Sequence, residues 1–492
     1  MAQKESTLRE LTSTGNLQEL QRKLYEKAKA EPKFRFYSLY DKTYRTDVLA
    51  EAYRSSESVD SDGVYDKVKA NGGTSGIDGE TCAMIEERGL EEYLAGLQLE
   101  MKQRRYKPQP VRRVYIPKAN GKKRPLGIPI VRDRIVQTTF LLILEPIFEA
   151  DFAESSHGFR PNEGAHDAVR EIYPPLGETS SETGKYLNWG CAEVYDVDLE
   201  KYFDTVEHHK LMKLIARRIV DKQILHVIKL WLSSGYIEDG QHKQSKRGTP
   251  QGGVISPLLA NIYLNPIDQI FKRSGLGAIS KGSIHLVRYA DDMILLAQRE
   301  LDTGIALLEH YLERLGLTLN KEKTRRLRLE EGANVEFLGF RFSNVRSRKT
   351  GTRLILVSPS PKSQQRCRER IRQLVHHARA KRVKDQVQDV NRFLRGWVGY
   401  FRLGHSSDTL KDVRNFVNKR VRRVIQRHRG RRGYGWGGRI SSDYIYGTLG
   451  LYSDYRTCRL SPAYDVYQDS RMSENLSRLL PAGVGIDEGS IG

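Results

Sequence analysis

Hydrophobic positions change their spacing along the chain, and the changes mark its organisation. Up to about residue 60 the spacing is helical and the composition polar, with Leu17, Leu20, Leu24, Tyr37, Tyr40, Leu49 and Tyr53 as the expected packing points. Ser55 to Gly63 is rich in Ser, Asp and Gly and reads as a loop. Residues 88–104 return to helical spacing. Val111–Lys118 and Lys122–Pro129 then predict two strands around Asn120-Gly121, a strong hairpin signal. A helix follows, apolar at Ile135, Phe140, Leu142, Ile143, Ile147 and Phe148. Pro174 to Gly190 is polar and Gly-rich and predicts an exposed insertion, and 304–316 predicts an amphipathic helix. From about 362 the pattern is helical throughout. Ile371, Leu374 and Val375 form one stripe, Val383, Val387, Val390 and Leu394 a second, and Val417, Val421, Val424 and Ile425 a third. Past about 465 apolar content is low and disorder is expected.

Charge sharpens this division. The 492-residue chain carries a formal +21, which points to a polyanionic partner. Between Lys362 and Gly433 there are 22 Lys/Arg against 5 Asp/Glu, so +17 lies in that one helical region. This is more single-sign charge than solubility requires. A basic amphipathic helix also suits a membrane surface, but no window is long and apolar enough to span one. Arg429 to Gly438 interleaves Arg and Gly with Tyr434 and Trp436. It reads either as a base-stacking surface or as a flexible linker. Cys82, Cys191, Cys367 and Cys458 are scattered, without metal-ligand spacing or a disulfide framework, which fits a reducing compartment.

Candidate chemistry lies in two acidic strands. Ile284 to Leu296 is an apolar run broken by Tyr289-Ala290-Asp291-Asp292, which reads as strand, tight turn and return strand with two acids at the tip. Adjacent carboxylates with some water access suit a hard cation such as Mg²⁺. In Ala192 to Asp204, alternation puts Asp196, Asp198 and Glu200 on one strand face. If the two segments meet, they supply the carboxylates of two-metal phosphoryl transfer. Between them, Arg247 to Asn261 contains a Gly/Pro loop, Thr249-Pro250-Gln251-Gly252-Gly253, that lets backbone approach a flat ligand.

In this order the motifs resemble the reverse transcriptases of bacterial mobile group II introns. The resemblance also rests on Ile116-Pro117-Lys118, Arg124 to Pro129, His157-Gly158-Phe159-Arg160-Pro161, Leu319 to Thr324, Phe337-Leu338-Gly339-Phe340 and Arg395 to Phe401. It implies an α+β right-hand polymerase, with fingers and palm followed by an α-helical thumb and maturase region. The expected divisions are an N-terminal extension and start of the fingers (1–110), fingers and palm (111–345), thumb and maturase region (360–450), and a DNA-binding or disordered tail (451–492). The implied reaction is RNA-directed DNA synthesis with two Mg²⁺ ions, or Mn²⁺ in their place. The implied ligands are Asp198, Asp291, Asp292 and the Leu199 carbonyl. Lys118, Arg124, Tyr202, Phe203 and Gln251 are the implied dNTP contacts, with Tyr202 beside the sugar as a block to a 2′-hydroxyl. Arg160, Lys323, Arg395, Arg422 and Arg423 are the implied nucleic-acid contacts, with Lys323 open between reaching phosphate and supporting the palm. The implied partners are intron RNA, an RNA template with a DNA or RNA primer, target DNA and dNTPs, in a bacterial cytoplasm. The paired Cys and His of a C-terminal nuclease are not in the sequence, so the primer is expected to come from a nick or a nascent strand. Rival readings are a maturase that only binds RNA, a domesticated enzyme of defence or repair, and an RNA-dependent RNA polymerase.

Overall fold

The computed structural model describes residues 14–57, 74–117, 121, 123–177, 193–245, 247–249, 252–273, 284–297, 301–329, 332–346, 353–376, 381–436 and 440–460. Its strands are β1 (Val111–Pro117), β2 (Lys123–Ile128), β3 (Ser156–His157), β4 (Glu193–Val197), β5 (Tyr236–Glu238), β6 (Gln241–Lys243), β7 (Ile284–Tyr289), β8 (Asp292–Ala297), β9 (Arg325–Arg328), β10 (Asn334–Phe337), β11 (Phe340–Arg346) and β12 (Arg353–Pro359). They form three sheets, ordered β2-β1-β5-β6, β3-β7-β8-β4-β9 and β10-β11-β12. The fold is α+β, as expected from the sequence.

The central sheet is apolar on both faces, and the two-residue period explains why. Met293, Leu295 and Ala297 of β8 face one core, with helices Val131–Glu149, Ser256–Arg273 and Leu301–Leu315. Ile294 and Leu296 face a second core, built from helix Ala165–Gly177 and strands β10 to β12. Each fully buried Leu or Ile contributes roughly 1.5–3 kcal/mol. A two-sided core therefore fixes the register of the strands that carry the acids.

After β12 come helices Pro361–His376, Val383–Phe401 and Ser407–His428. The predicted apolar stripes meet in a third core, through Ile371, Val387, Val390, Leu394, Val417, Val421 and Ile425. Trp397 packs against both the second and third cores, and its ring lies 4.8 Å from that of Phe401. The Tyr400 hydroxyl donates to the Leu338 carbonyl at 2.9 Å. The aromatic residues of the 395–401 signature thus join the helical region to the sheets.

Three expectations change. The loop expected from Ser55 does not begin there, because Ser55 to Glu57 close helix Thr46–Glu57. Tyr37 is 71% exposed rather than a packing point. Helix Ala165–Gly177 runs through Pro174 and Pro175, where an exposed insertion was expected. Burial of Val169, Ile172 and Leu176 against the second core offsets the missing backbone donors. The Asn120 turn and the tail past 465 lie outside the described residues. The Pro117–Lys123 pairing does close β1 onto β2.

Candidate active site

Tyr289 pairs with Asp292, leaving Ala290 and Asp291 at the tip of the β7–β8 hairpin. Ala290 has φ of +56°, a left-handed conformation that costs a residue with a Cβ about 1–2 kcal/mol. Two bonds hold it there. Its N–H donates to the His157 carbonyl at 3.0 Å. Its carbonyl accepts from Arg288 Nη1 at 2.8 Å. Gly158, at φ +77°, packs so closely that a Cβ would lie 3.0 Å from the Ala290 nitrogen.

Arg288 is fully buried, and the sequence reading did not single it out. Its Nε donates to Asp268 at 2.9 and 3.1 Å, and its Nη2 to Asp268 at 2.5 Å. Nη1 also donates to Asn261 at 2.9 Å, and Nη2 to the Ser156 hydroxyl. All its donors are therefore used, and the guanidinium ties the turn to β3 and to helix Ser256–Arg273. The signal was available: an Arg inside an apolar strand, with Asn261 and Asp268 seven apart, and so on one face, in a mostly apolar helix.

Val197 pairs with Met293, so Asp198 leaves β4 beside Asp292. Segment 317–324 grips this end. Asn320 N–H donates to the Asp198 carbonyl at 2.8 Å, Glu200 N–H to the Thr318 carbonyl at 2.9 Å, and Leu199 bridges Leu319. Lys323 Nζ reaches both Asp198 oxygens, at 3.0 and 2.8 Å. Asp292 keeps solvent access, yet loss of hydration and the field of Asp291, Asp198 and Asp196 push its carboxyl up to about 7. Desolvation, with Asp198 adding to it, raises Asp196 to about 6. Among the described residues no three His, Cys, Asp or Glu side chains form a ready-made metal site. The donor chemistry nonetheless fits a hard divalent ion: carboxylate oxygens reached by water, crowded enough to resist ionising together.

Behind the turn lies a buried His/Glu network. His157 Nδ1 lies 2.8 Å from Glu163, its Nε2 bonds Glu171, and His285 Nε2 is 3.0 Å from Glu171. Burial alone would depress His157, but Glu171 and Glu163 raise it to about 9. Burial opposes the charge on Glu171, but His157 and His285 pull it down to about 2. With the folded imidazole above its usual 6.5, its contribution is full below about 6.5 and is lost as pH rises through 9. The Glu171 contribution is full above 4.5 and is lost as pH falls towards 2. Wild type is expected to lose on the order of 2–3 kcal/mol more than His157→Gln between pH 6.5 and 10. Thermal unfolding across that range measures this, and parallel curves would remove the imidazolium from the account.

The other expected site residues divide. Lys118 and Gln251 lie outside the described residues. Arg124 is exposed on β2 opposite Ile116, and Arg395 and Arg423 are exposed on the C-terminal helices. Arg160, expected at nucleic acid, is 7% exposed. Its donors go to Glu149 at 3.0 and 2.5 Å, to the Ala153 carbonyl at 2.8 Å and to the Ser156 carbonyl, so it pins a loop instead. Arg422 is corrected in the same way: it is 5% exposed and bonds Asn418 at 2.7 Å and the Ile440 carbonyl at 2.8 Å. Tyr202 is 2% exposed, with its hydroxyl donating to the Ala260 carbonyl at 2.7 Å. Ring and hydroxyl are both committed to the core, which removes it as the sugar block. Phe203 follows it, edge-on to Phe159 at 6.5 Å. Next to it, a shallow recess is lined by Arg113, Gly127, Asp204, Trp231, Arg247 and Thr249, among others. Asp204 therefore faces this recess rather than the carboxylate cluster. Among the described residues the buried Thr249 hydroxyl has no hydrogen-bond partner. Gly252, at φ +109°, sits against the Gly127 carbonyl, where a Cβ would collide.

Comparison with known proteins agrees with this geometry. Residues 116–342 match the family described as reverse transcriptase (RNA-dependent DNA polymerase), and 364–440 match the group II intron maturase-specific domain. Protein YkfC of Escherichia coli (strain K12) is 36% identical over 376 residues, covering 70% of this chain and 93% of that protein. The group II intron-encoded protein LtrA of Lactococcus lactis subsp. cremoris is 34% identical over 281 residues, covering 57% of this chain and 41% of LtrA. The chain thus spans nearly all of the first relative and about two fifths of the second. The nuclear intron maturase 1 of Arabidopsis thaliana is 34% identical over 101 residues, 20% of this chain and 12% of that protein. With the acidic strands apposed and the basic helices following them, the chain belongs to the group II intron-encoded reverse transcriptases, an RNA-directed DNA polymerase domain joined to a maturase-specific domain.

Proposed function

We propose that this chain extends a primer 3′-hydroxyl with dNTPs on an RNA template, and that its C-terminal helices hold a group II intron RNA during splicing and retrohoming. The carrying observation is the apposition of Asp198 with the Asp291-Asp292 turn. Asp198, the Leu199 carbonyl, Asp291 and Asp292 would hold two Mg²⁺ ions, which supply an activated attacking hydroxyl and a stabilised pyrophosphate. Arg124 on β2, together with Lys118, neutralises the triphosphate. Gln251 and the Gly252 backbone support the nascent pair, and the adjoining recess receives the template base. Lys323 limits repulsion within the acidic cluster by pairing with Asp198. Among the described residues no helix is long and apolar enough to cross a membrane. The place of action read from the family resemblance is a bacterial cytoplasm. Primer extension with dNTPs and Mg²⁺ on an RNA template tests the polymerase reading. A chain that binds intron RNA but makes no cDNA would leave only the maturase role.

The sugar block passes to Phe203, whose ring is buried like that of Tyr202 (7% against 2% exposed) but carries no hydroxyl tied into the core. Phe203→Val is expected to raise ribonucleotide over deoxyribonucleotide incorporation by about tenfold or more, whereas Tyr202→Phe leaves the ratio unchanged. Single-nucleotide extension with each substrate decides between the two rings.

For the maturase role, charge is expected to dominate affinity. Lys411, Lys419, Arg395 and Arg427 are exposed on the C-terminal helices. Replacing them by Gln should lower the slope of log affinity against log salt by about 0.7–0.9 for each phosphate no longer neutralised. Intron-RNA binding across a salt series measures this. An unchanged slope would move the RNA-binding surface elsewhere.

A further inference from the structure

We propose that Tyr434 and Trp436 form a stacking platform for unpaired bases of RNA, a site that rests on the RNA-binding reading of the maturase-specific domain. The Arg/Gly segment that holds them could be a linker, but its contacts make it a built surface. Arg422, buried at the end of helix Ser407–His428, donates to the Ile440 carbonyl at 2.8 Å and the Gly435 carbonyl at 3.4 Å. It thereby ties the loop to the helix on both sides of Trp436. Gly435, at φ +64°, packs against Gln426 and Ile440 where a Cβ would collide. The loop is therefore clamped at its centre.

What the clamp presents is aromatic and exposed. Trp436 is 53% and Tyr434 37% exposed, with ring centroids 6.5 Å apart and planes inclined at 41°. The Arg422 guanidinium lies 4.3 Å from the Trp436 ring and supports it from the helix side. Arg423 lies 5.8 Å from Tyr434. Arginines against one side of each ring leave a sequence-tolerant π surface towards solvent. An inclined pair at this spacing cannot sandwich a base between its rings, so bases stack on the outer faces.

Charge selects the occupant. No Asp or Glu occurs between Asp412 and Asp443, whereas ten Lys or Arg do. An apolar protein surface would not need that field, whereas a phosphate backbone does. A paired helix offers phosphates but hides its base faces, so the platform distinguishes unpaired from paired strands. The maturase-domain match at 364–440 covers both rings, and under the RNA-binding reading proposed above the occupant is RNA.

The test uses the full chain and four labelled probes: a 12-nucleotide oligo(A) RNA, its abasic counterpart, a 12-base-pair RNA duplex and oligo(dA). Tyr434→Leu/Trp436→Leu should weaken oligo(A) RNA binding by about tenfold, with the salt slope unchanged and duplex and abasic affinities kept. Trp436→Phe should retain most of the binding. Equal losses on all probes, or no loss on oligo(A), would overturn the platform. Tighter binding of oligo(dA) than oligo(A) RNA in wild type, lost in the double variant, would overturn the commitment to RNA. The Lys411, Lys419, Arg395 and Arg427 variant separates the two levels. If it loses RNA affinity while the aromatic variant does not, the platform fails and the RNA-binding reading stands. If neither loses affinity, that reading fails as well.

Discussion

Asp291→Ala should reduce cDNA synthesis by about a thousandfold or more while leaving intron-RNA affinity within about twofold. The first number follows from the work asked of the carboxylate. Charge stabilisation by a bound metal in phosphoryl transfer is worth several kcal/mol, and about 4 kcal/mol is three decades of rate. The second follows from distance along the chain: Asp291 sits at the tip of the β7–β8 turn, whereas the basic excess lies at 362–433. The backbone of Ala290 is fixed by the His157 carbonyl and by Arg288, so the variant should keep its fold. Primer extension on an RNA template and filter binding on the same preparations provide both readings. Substantial extension by the variant would remove Asp291 from the metal site. A parallel loss of RNA binding would mean that the substitution disturbs more than the turn.

The acidic centre was legible because its chemistry is local in sequence. The acids flank apolar strands, Asp198 directly after β4 and Asp291-Asp292 at the β7–β8 turn, so strand register alone brings them together, although Asp198 and Glu200 lie beyond the strand on which alternation had placed them. The supporting layer was less legible. Arg160 and Arg422 look like phosphate contacts in a chain so rich in arginine. Only the tertiary structure brings Glu149 to the first, and Asn418 with the Ile440 carbonyl to the second. Tyr202 and Phe203 are adjacent rings whose roles depend on which one reaches the Ala260 carbonyl, and helix Ser256–Arg273 supplies that carbonyl from far along the chain. Lys323 could be assigned to phosphate or to support of the palm from its sequence. Its bonds to both oxygens of Asp198 decide for the acidic cluster. The helical stripes after residue 362 predicted a core correctly because period and burial are one property, while the exposure of Tyr434 and Trp436 depended on a clamp made by a buried arginine.

Arg288→Met should be the most destabilising single change at this site, and the way it can be rescued tests what Arg288 is for. Arg288 and Asp268 are both fully buried and paired at 2.5 Å. Removing one partner strands the other charge in the core, a loss of about 3–5 kcal/mol. Replacing the pair by apolar residues of similar volume is often neutral, because the desolvation cost of both charges disappears with them. Arg288→Met/Asp268→Leu should therefore recover most of the lost stability, as read from the thermal midpoint. It should not recover polymerisation. The Ala290 carbonyl would still lack the donor that holds its left-handed conformation, and Ser156 and Asn261 would lose the guanidinium that ties β3 and helix Ser256–Arg273 to the turn. Asp291 and Asp292 would then be attached to a folded palm but loosely aimed, and displacement of a reacting group by about 1 Å can cost roughly a hundredfold in rate. The expected result is a stable double variant with extension reduced by about that factor and with RNA affinity unchanged. Full extension by the double variant would show that Arg288 serves stability alone, and that the turn holds its shape through the His157 bond and the packing of Gly158.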